Sequence, residues 1–118
     1  MRLNEVTFND ALPIDGYGDG FFRIGGAPHA APLAVTPKGI CDWAGLEDAD
    51  GLLAAAEDTD VILIGTGAQI AHIPAALRSA LEGAGFGVEI MASAQACRTY
   101  NVLLGEGRRV ALALMPID

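Results

Sequence analysis

A chain of 118 residues has room for one domain with a single sheet and two or three helices. Its apolar fraction of 52% excludes disorder, and its net charge of −8 excludes a nucleic-acid binder, which needs clustered cations to displace counterions. Seven aromatic residues (four Phe, two Tyr, one Trp) leave the core to be filled largely by Ala, Val, Leu and Ile.

Residues 2–8 alternate loosely and are expected to form a first strand ending at Asn9-Asp10. A loop carrying Pro13, Gly16 and Gly18 is expected to lead to Phe21-Phe22-Arg23-Ile24, which reads as a second strand. Gly25-Gly26-Ala27-Pro28 reads as a turn. Residues 30–36 read as a third strand, with Pro32 marking an edge or a bulge. The first third therefore has the pattern of an antiparallel β unit. Pro37-Lys38-Gly39 breaks the chain, and Trp43 is expected to pack a crossover against the sheet.

Leu46, Ala49, Leu52, Leu53 and Ala56 recur at helical spacing, with Glu47, Asp48 and Asp50 in the first turn, where the helix dipole favours acids. Val61-Ile62-Leu63-Ile64 is fully apolar, as expected of a central strand covered on both faces. Pro74 opens a helix through Gly83, and Gly85-Phe86-Gly87 ends it. Residues 88–91 form the next strand, Ser93 is expected to cap a helix over 94–104, and Val110–Leu114 is the last strand. The succession predicts an α/β layer with mixed pairing.

Charge divides unevenly along the chain. Residues 1–60 hold eleven acids against Arg2, Arg23 and Lys38, whereas residues 61–118 hold four acids and four arginines. Cys41 and Cys97 form no CxxC pair and have no histidine at zinc spacing, so both are expected to be reduced thiols in a cytoplasmic protein. Neither a metal nor a cofactor is expected. The longest apolar runs are too short to span a bilayer.

Two stretches carry candidate chemistry. Gly65-Thr66-Gly67 directly follows the strand at 61–64, where glycines let backbone N–H groups approach a ligand. The dinucleotide fingerprint fails there, because Ile70 stands in the place of its third glycine and Met91 and Ala92 in the place of its acid. His72 lies just beyond, with no second ligand in helical register. The other stretch is Ala96-Cys97-Arg98-Thr99-Tyr100-Asn101, polar groups inside an Ala- and Leu-rich helix. Helical phase places Ala96, Cys97, Tyr100, Leu103 and Leu104 on one stripe, and Arg98, Thr99 and Asn101 off it. Cys97 is then either a small buried hydrophobe or a thiol activated by Arg98. If residues 74–83 form a crossover, the strands at 61–64 and 88–91 run parallel. Their carboxyl ends then set residues 65–69 beside Ala92-Ser93 and the Arg98 helix.

The blocks Asp60–Gly67, Gly87–Met91 and Cys97–Ala111 resemble the domain-of-unknown-function 498 family, whose mitochondrial member is an assembly factor of respiratory complex I. The resemblance implies a three-layer β+α/β/α fold with a mixed central sheet, and it carries over no catalytic residues. Without the N-terminal targeting extension of mitochondrial members, the chain is expected to be a bacterial, cytoplasmic version, working at the periphery of the inner membrane. The function expected is a small non-enzymatic domain that binds another protein, such as respiratory-complex or membrane-insertion components. Gly65, Thr66, Gly67, Arg98, Thr99 and Asn101 are its candidate binding residues. The alternative is a small-anion or nucleotide-binding protein or enzyme, with the Gly67 and Ala68 amides and Arg98 as the cradle and Cys97 or His72 reactive. A third reading makes the polar cluster a structural lock, with Arg98 and Asn101 satisfying buried loop carbonyls.

Overall fold

The structure, a computed structural model, describes residues 12–118, so the strand expected over 2–8 lies outside the described residues. Eleven elements follow in chain order: β1 (Ile14–Gly18), β2 (Phe21–Ile24), β3 (Ala27–Ala30), β4 (Leu33–Thr36), β5 (Gly39–Asp42), α1 (Ala49–Ala55), β6 (Val61–Gly65), α2 (Ala75–Gly83), β7 (Gly87–Met91), α3 (Ser93–Gly105) and β8 (Val110–Leu114). Strands β1-β2-β3 form an antiparallel sheet. Strands β5-β4-β8-β6-β7, in that order, form a mixed sheet in which β6 lies parallel to both β7 and β8.

Two prolines and two glycines set the path of the first third. Gly25 and Gly26 both take positive φ (61° and 85°), giving the two-residue hairpin connection that matches strand twist. The turn expected over 25–28 therefore shrinks to its two glycines, and Ala27 and Pro28 belong to β3. Pro28 is tolerated because β3 is an edge strand. The single strand expected over 30–36 is divided: the chain leaves one sheet after Ala30 and joins the other at Leu33. Pro32 lies in that break and cannot donate to a continuing ladder.

The mixed sheet separates two cores. On one face Leu33, Val35, Leu63, Val110, Leu112 and Leu114 pack against α3 and against Phe22 and Ile24 of the small sheet. On the other, Ala34, Ile62, Ile64, Ala111 and Ala113 pack against α1, α2 and Trp43. β8 is buried along its whole length and alternates large and small residues, so it fills the α3 side and leaves room for helices on the other. The molecule is thus layered as small sheet plus α3, mixed sheet, then α1 plus α2. β6, the apolar run of the sequence, is an interior strand of the sheet, covered on both faces as expected.

Helix α1 begins later than the apolar spacing predicts. Asp48 is its N-cap rather than a first-turn residue: Oδ1 accepts from Gly51 N at 2.9 Å and Oδ2 from Ala44 N at 3.1 Å. These two amides, Ala44 first, hold the carboxyl below its usual pKa. Trp43 is buried and donates from Nε1 to Asp48 O at 3.0 Å, which packs the approach to α1 against the sheet.

Candidate functional site

The parallel strands β8, β6 and β7 end at one edge of the sheet, and there three segments meet. Gly65-Thr66-Gly67 leaves β6, Ala92-Ser93 leaves β7 to open α3, and Met115-Pro116-Ile117 leaves β8. Ser93 joins all three. Its Oγ donates to Met115 O and accepts from Gly67 N, both at 2.8 Å, while its own N–H donates to Gly67 O at 2.8 Å. Its side chain is therefore spent on tertiary bonds and does not cap α3. The N-cap position falls on Ala92, which makes no side-chain bond.

Gly65 is needed for this approach, because a Cβ there would stand 2.7 Å from the Ser93 Cα and 2.8 Å from its Oγ. At Gly67, φ of +109° favours glycine, and a Cβ would meet Pro116 O at 3.3 Å. Thr66 holds the following loop: its N–H donates to Met91 O at 2.9 Å, its hydroxyl to Gln69 O at 2.9 Å, and that oxygen accepts from Ala71 N at 3.0 Å.

The polar stretch of α3 divides three ways. Cys97 and Tyr100 point into the core. Burial pushes the Cys97 thiol up to about 12, against a weaker opposing pull from the Arg98 charge, so the activated-thiol alternative does not fit this site. Tyr100 is also raised by burial, and its hydroxyl donates to Leu12 O at 2.9 Å. Asn101 turns toward β1: Oδ1 accepts from Ile14 N and Nδ2 donates to Ile14 O, each at 2.9 Å. It satisfies the strand's main chain as a neighbouring strand would. Arg98 is exposed and donates from Nη2 to Gln95 Oε1 at 2.9 Å, while Gln95 Nε2 donates to Thr99 Oγ1 at 3.3 Å.

The parallel strands do set the 65–69 turn beside Ala92-Ser93, as the crossover argument expects. Arg98, Thr99 and Asn101 do not join it. No hydrogen bond among the described residues links any of the three to Gly65, Thr66 or Gly67. Arg98 lies five residues beyond Ser93, about 7.5 Å along the helix axis, on the outward face. Asn101 is drawn instead to β1, a strand far away in sequence. Only Asn101 acts as the lock reading describes; Arg98 satisfies no loop carbonyl.

A second feature begins three residues past Gly67. A groove of about 490 Å³ is lined by Ile70, Ala71, His72, Arg78, Val88, Glu89 and Ile90. It runs where the exposed 70–72 loop and α2 flank β7, the last strand of the mixed sheet. Ile70 is 66% exposed, and Arg78 Nη1 is paired with Glu82 Oε2 at 2.9 Å. Sequence reasoning singled out His72 but missed this groove. The available signal was Glu89, one acid inside an otherwise apolar strand.

Among the described residues no group of His, Cys, Asp and Glu could hold a metal ion, and Cys41 and Cys97 are free thiols. No helix among them is long and apolar enough to cross a membrane.

A mixed five-stranded sheet with α1 and α2 on one face, and α3 with a small antiparallel sheet on the other, makes this a three-layer β+α/β/α domain. Its strand ends are tied to one another by side-chain and main-chain bonds. The chain belongs to the family described as "Protein of unknown function (DUF498/DUF598)", whose profile matches residues 14–115. An uncharacterised protein of Rhodobacter capsulatus is 49% identical over 117 residues, covering 99% of this chain and 94% of that protein. NADH dehydrogenase [ubiquinone] 1 alpha subcomplex assembly factor 3 of Homo sapiens is 30% identical over 113 residues, covering 90% of this chain and 61% of its own length. This chain therefore spans about three fifths of that assembly factor. The crystal structure of an outer membrane protein from Bartonella henselae superposes with a TM-score of 0.82 at 34% identity, covering 93% of this chain and 98% of that one.

Proposed function

We propose that this chain is a non-enzymatic protein-binding domain that acts in the assembly of respiratory complex I, in the cytoplasm of a bacterium and at the periphery of its inner membrane. The observation that carries the reading is the 30% identity to the human assembly factor across 90% of this chain. The state of the strand ends supports it. Ligand cradles on open α/β sheets need free amides beyond the strands, whereas Gly67 N–H is already bonded to Ser93 Oγ. Arg98 does not face that turn, and the Cys97 thiol is buried, which pushes its pKa up. The small-anion or enzyme alternative therefore has no observation in its favour.

In this reading the six candidate residues take different parts. Arg98 and Gln95, both exposed, form with the half-buried Thr99 a polar surface able to meet a partner carboxylate or amide. Gly65, Thr66, Gly67 and Asn101 brace the fold behind it. Affinity purification of the tagged chain from its native host tests the role. Recovery of complex I subunits or membrane-insertion components is expected, and a clean chain with no partner overturns it.

A further inference from the structure

The main-chain hydrogen bonds of β7 can be assigned residue by residue. Gly87 N donates to Asp60 O at 3.0 Å, and Met91 O accepts from Thr66 N at 2.9 Å, so both residues face β6. Orientation alternates along a parallel ladder. Gly87, Glu89 and Met91 therefore spend their N–H and C=O groups on β6, while those of Val88 and Ile90 project off the sheet. Among the described residues no strand lies beyond β7 and nothing bonds these four groups. They open into the groove lined by Ile70, Ala71, His72, Arg78, Val88, Glu89 and Ile90.

The charges of the groove select what can add there. Arg78 is neutralised by Glu82, whereas Glu89 is exposed and has no ion-pair partner among the described residues. A second copy of this chain is disfavoured. The symmetric antiparallel pairing that uses all four outward groups sets Val88 against Ile90 and places Glu89 directly opposite its own copy. Like charges at that spacing repel, and each copy brings a net charge of −8. A different segment with a cation opposite Glu89 and apolar residues opposite Val88 and Ile90 meets no such penalty. Ile70, 66% exposed beside the strand, offers such a segment further apolar cover.

We propose that β7 is an open sheet edge that accepts an extended segment of another protein, apolar at alternate positions and carrying a lysine or arginine opposite Glu89. Main-chain bonds to Val88 and Ile90 supply the affinity and Glu89 supplies the selection, as in strand addition generally. The proposal deepens the protein-binding reading above and rests on it.

The test is an NMR titration of the full chain with a capped heptapeptide of alternating valine and lysine, and with the same peptide bearing glutamate for lysine. The lysine peptide is expected to bind with Kd of about 1 mM or tighter. It should slow hydrogen exchange at the Val88 and Ile90 amides at least about tenfold, while the glutamate peptide does neither. Glu89→Lys should exchange the two preferences. Ile90→Pro removes an N–H that the sheet does not use, and should abolish binding of both peptides. If either variant unfolds, the other decides.

No response at Val88 and Ile90 to the lysine peptide overturns the proposal. So does protection of those amides in the free chain, whether by a second copy, seen as concentration dependence, or by the chain's own residues. Peptide binding without recovery of complex I subunits from the host would leave the edge standing and remove the assembly role. Recovery of those subunits without peptide binding would do the reverse.

Discussion

The edge of the sheet beyond β6 and the edge along β7 belong to neighbouring strands and meet opposite fates. At the first, every polar group named has a partner inside the fold: Ser93 Oγ serves Gly67 and Met115, and Thr66 serves Met91, Gln69 and Ala71. At the second, four main-chain groups of Val88 and Ile90 face a groove with no partner among the described residues. Glycine-rich loops after parallel strands invite a functional reading, yet here the glycines serve close packing. A buried polar group that is fully bonded holds a fold together. Unbonded main chain at a strand edge is what another chain can use.

Substitutions at the closed edge should have the largest effects. Gly65→Ala forces a Cβ against the Ser93 backbone, and neither neighbour is a flexible side-chain end that can move away. A loss of about 3 kcal/mol is expected in urea unfolding, at the upper end of ordinary overpacking. Ser93→Ala strips the partners from Gly67 N–H and Met115 C=O. It should cost about 2–3 kcal/mol, because a buried group left unbonded loses its full desolvation energy. If either change proves neutral, the closed edge is not a structural lock and the comparison with β7 collapses.

Cys97 allows a pH-dependent check on how dry the α3 side of the core is. The folded thiol is held at about 12, above its ordinary value of 9.0. Since the fold binds the proton more tightly than the unfolded chain does, this contribution is complete below pH 9. It is lost progressively as pH rises from there toward 12. With the half-buried Cys41 replaced by alanine, Cys97 should resist thiol labelling at pH 7 and react at the rate of global unfolding. Rapid labelling of Cys97 in that folded variant would mean that α3 opens locally.

Much of this architecture was legible in the chain. The four-residue apolar run of β6 announces a strand covered on both faces, and the alternation Val110-Ala111-Leu112-Ala113-Leu114 marks where large and small residues face opposite layers. Local signals misled where one residue type serves two purposes. Serine before a helical run reads as a cap, but Ser93 spends its hydroxyl on partners 26 and 22 residues away. The stretch 96–101 was visible as unusual, and helical phase correctly turned Cys97 and Tyr100 inward. What Asn101 touches was out of reach, since Ile14 lies 87 residues earlier, on the edge strand of the small sheet. Likewise Glu89 shows in sequence as an acid within a strand, but only strand order makes that strand an edge.

The smallest effects should come from pairing Arg98→Ala with Asn101→Ala, neighbours three apart on α3. Asn101→Ala removes two bonds to the Ile14 main chain in a half-buried place. A loss of about 1–2 kcal/mol is expected, because the outer edge of β1 then keeps its donor and acceptor without the amide that mimics a neighbouring strand. Arg98→Ala removes an exposed side chain whose bond is to Gln95, one turn earlier on the same helix. Its stability change should stay within about 0.5 kcal/mol, the range of exposed substitutions away from special features. Its effect belongs to recognition: if Arg98 meets a partner carboxylate, co-purification from the host should weaken while the urea midpoint holds. A midpoint that falls as far for Arg98→Ala as for Asn101→Ala would turn Arg98 into a structural residue, and would shift the search for the partner's contact to β7.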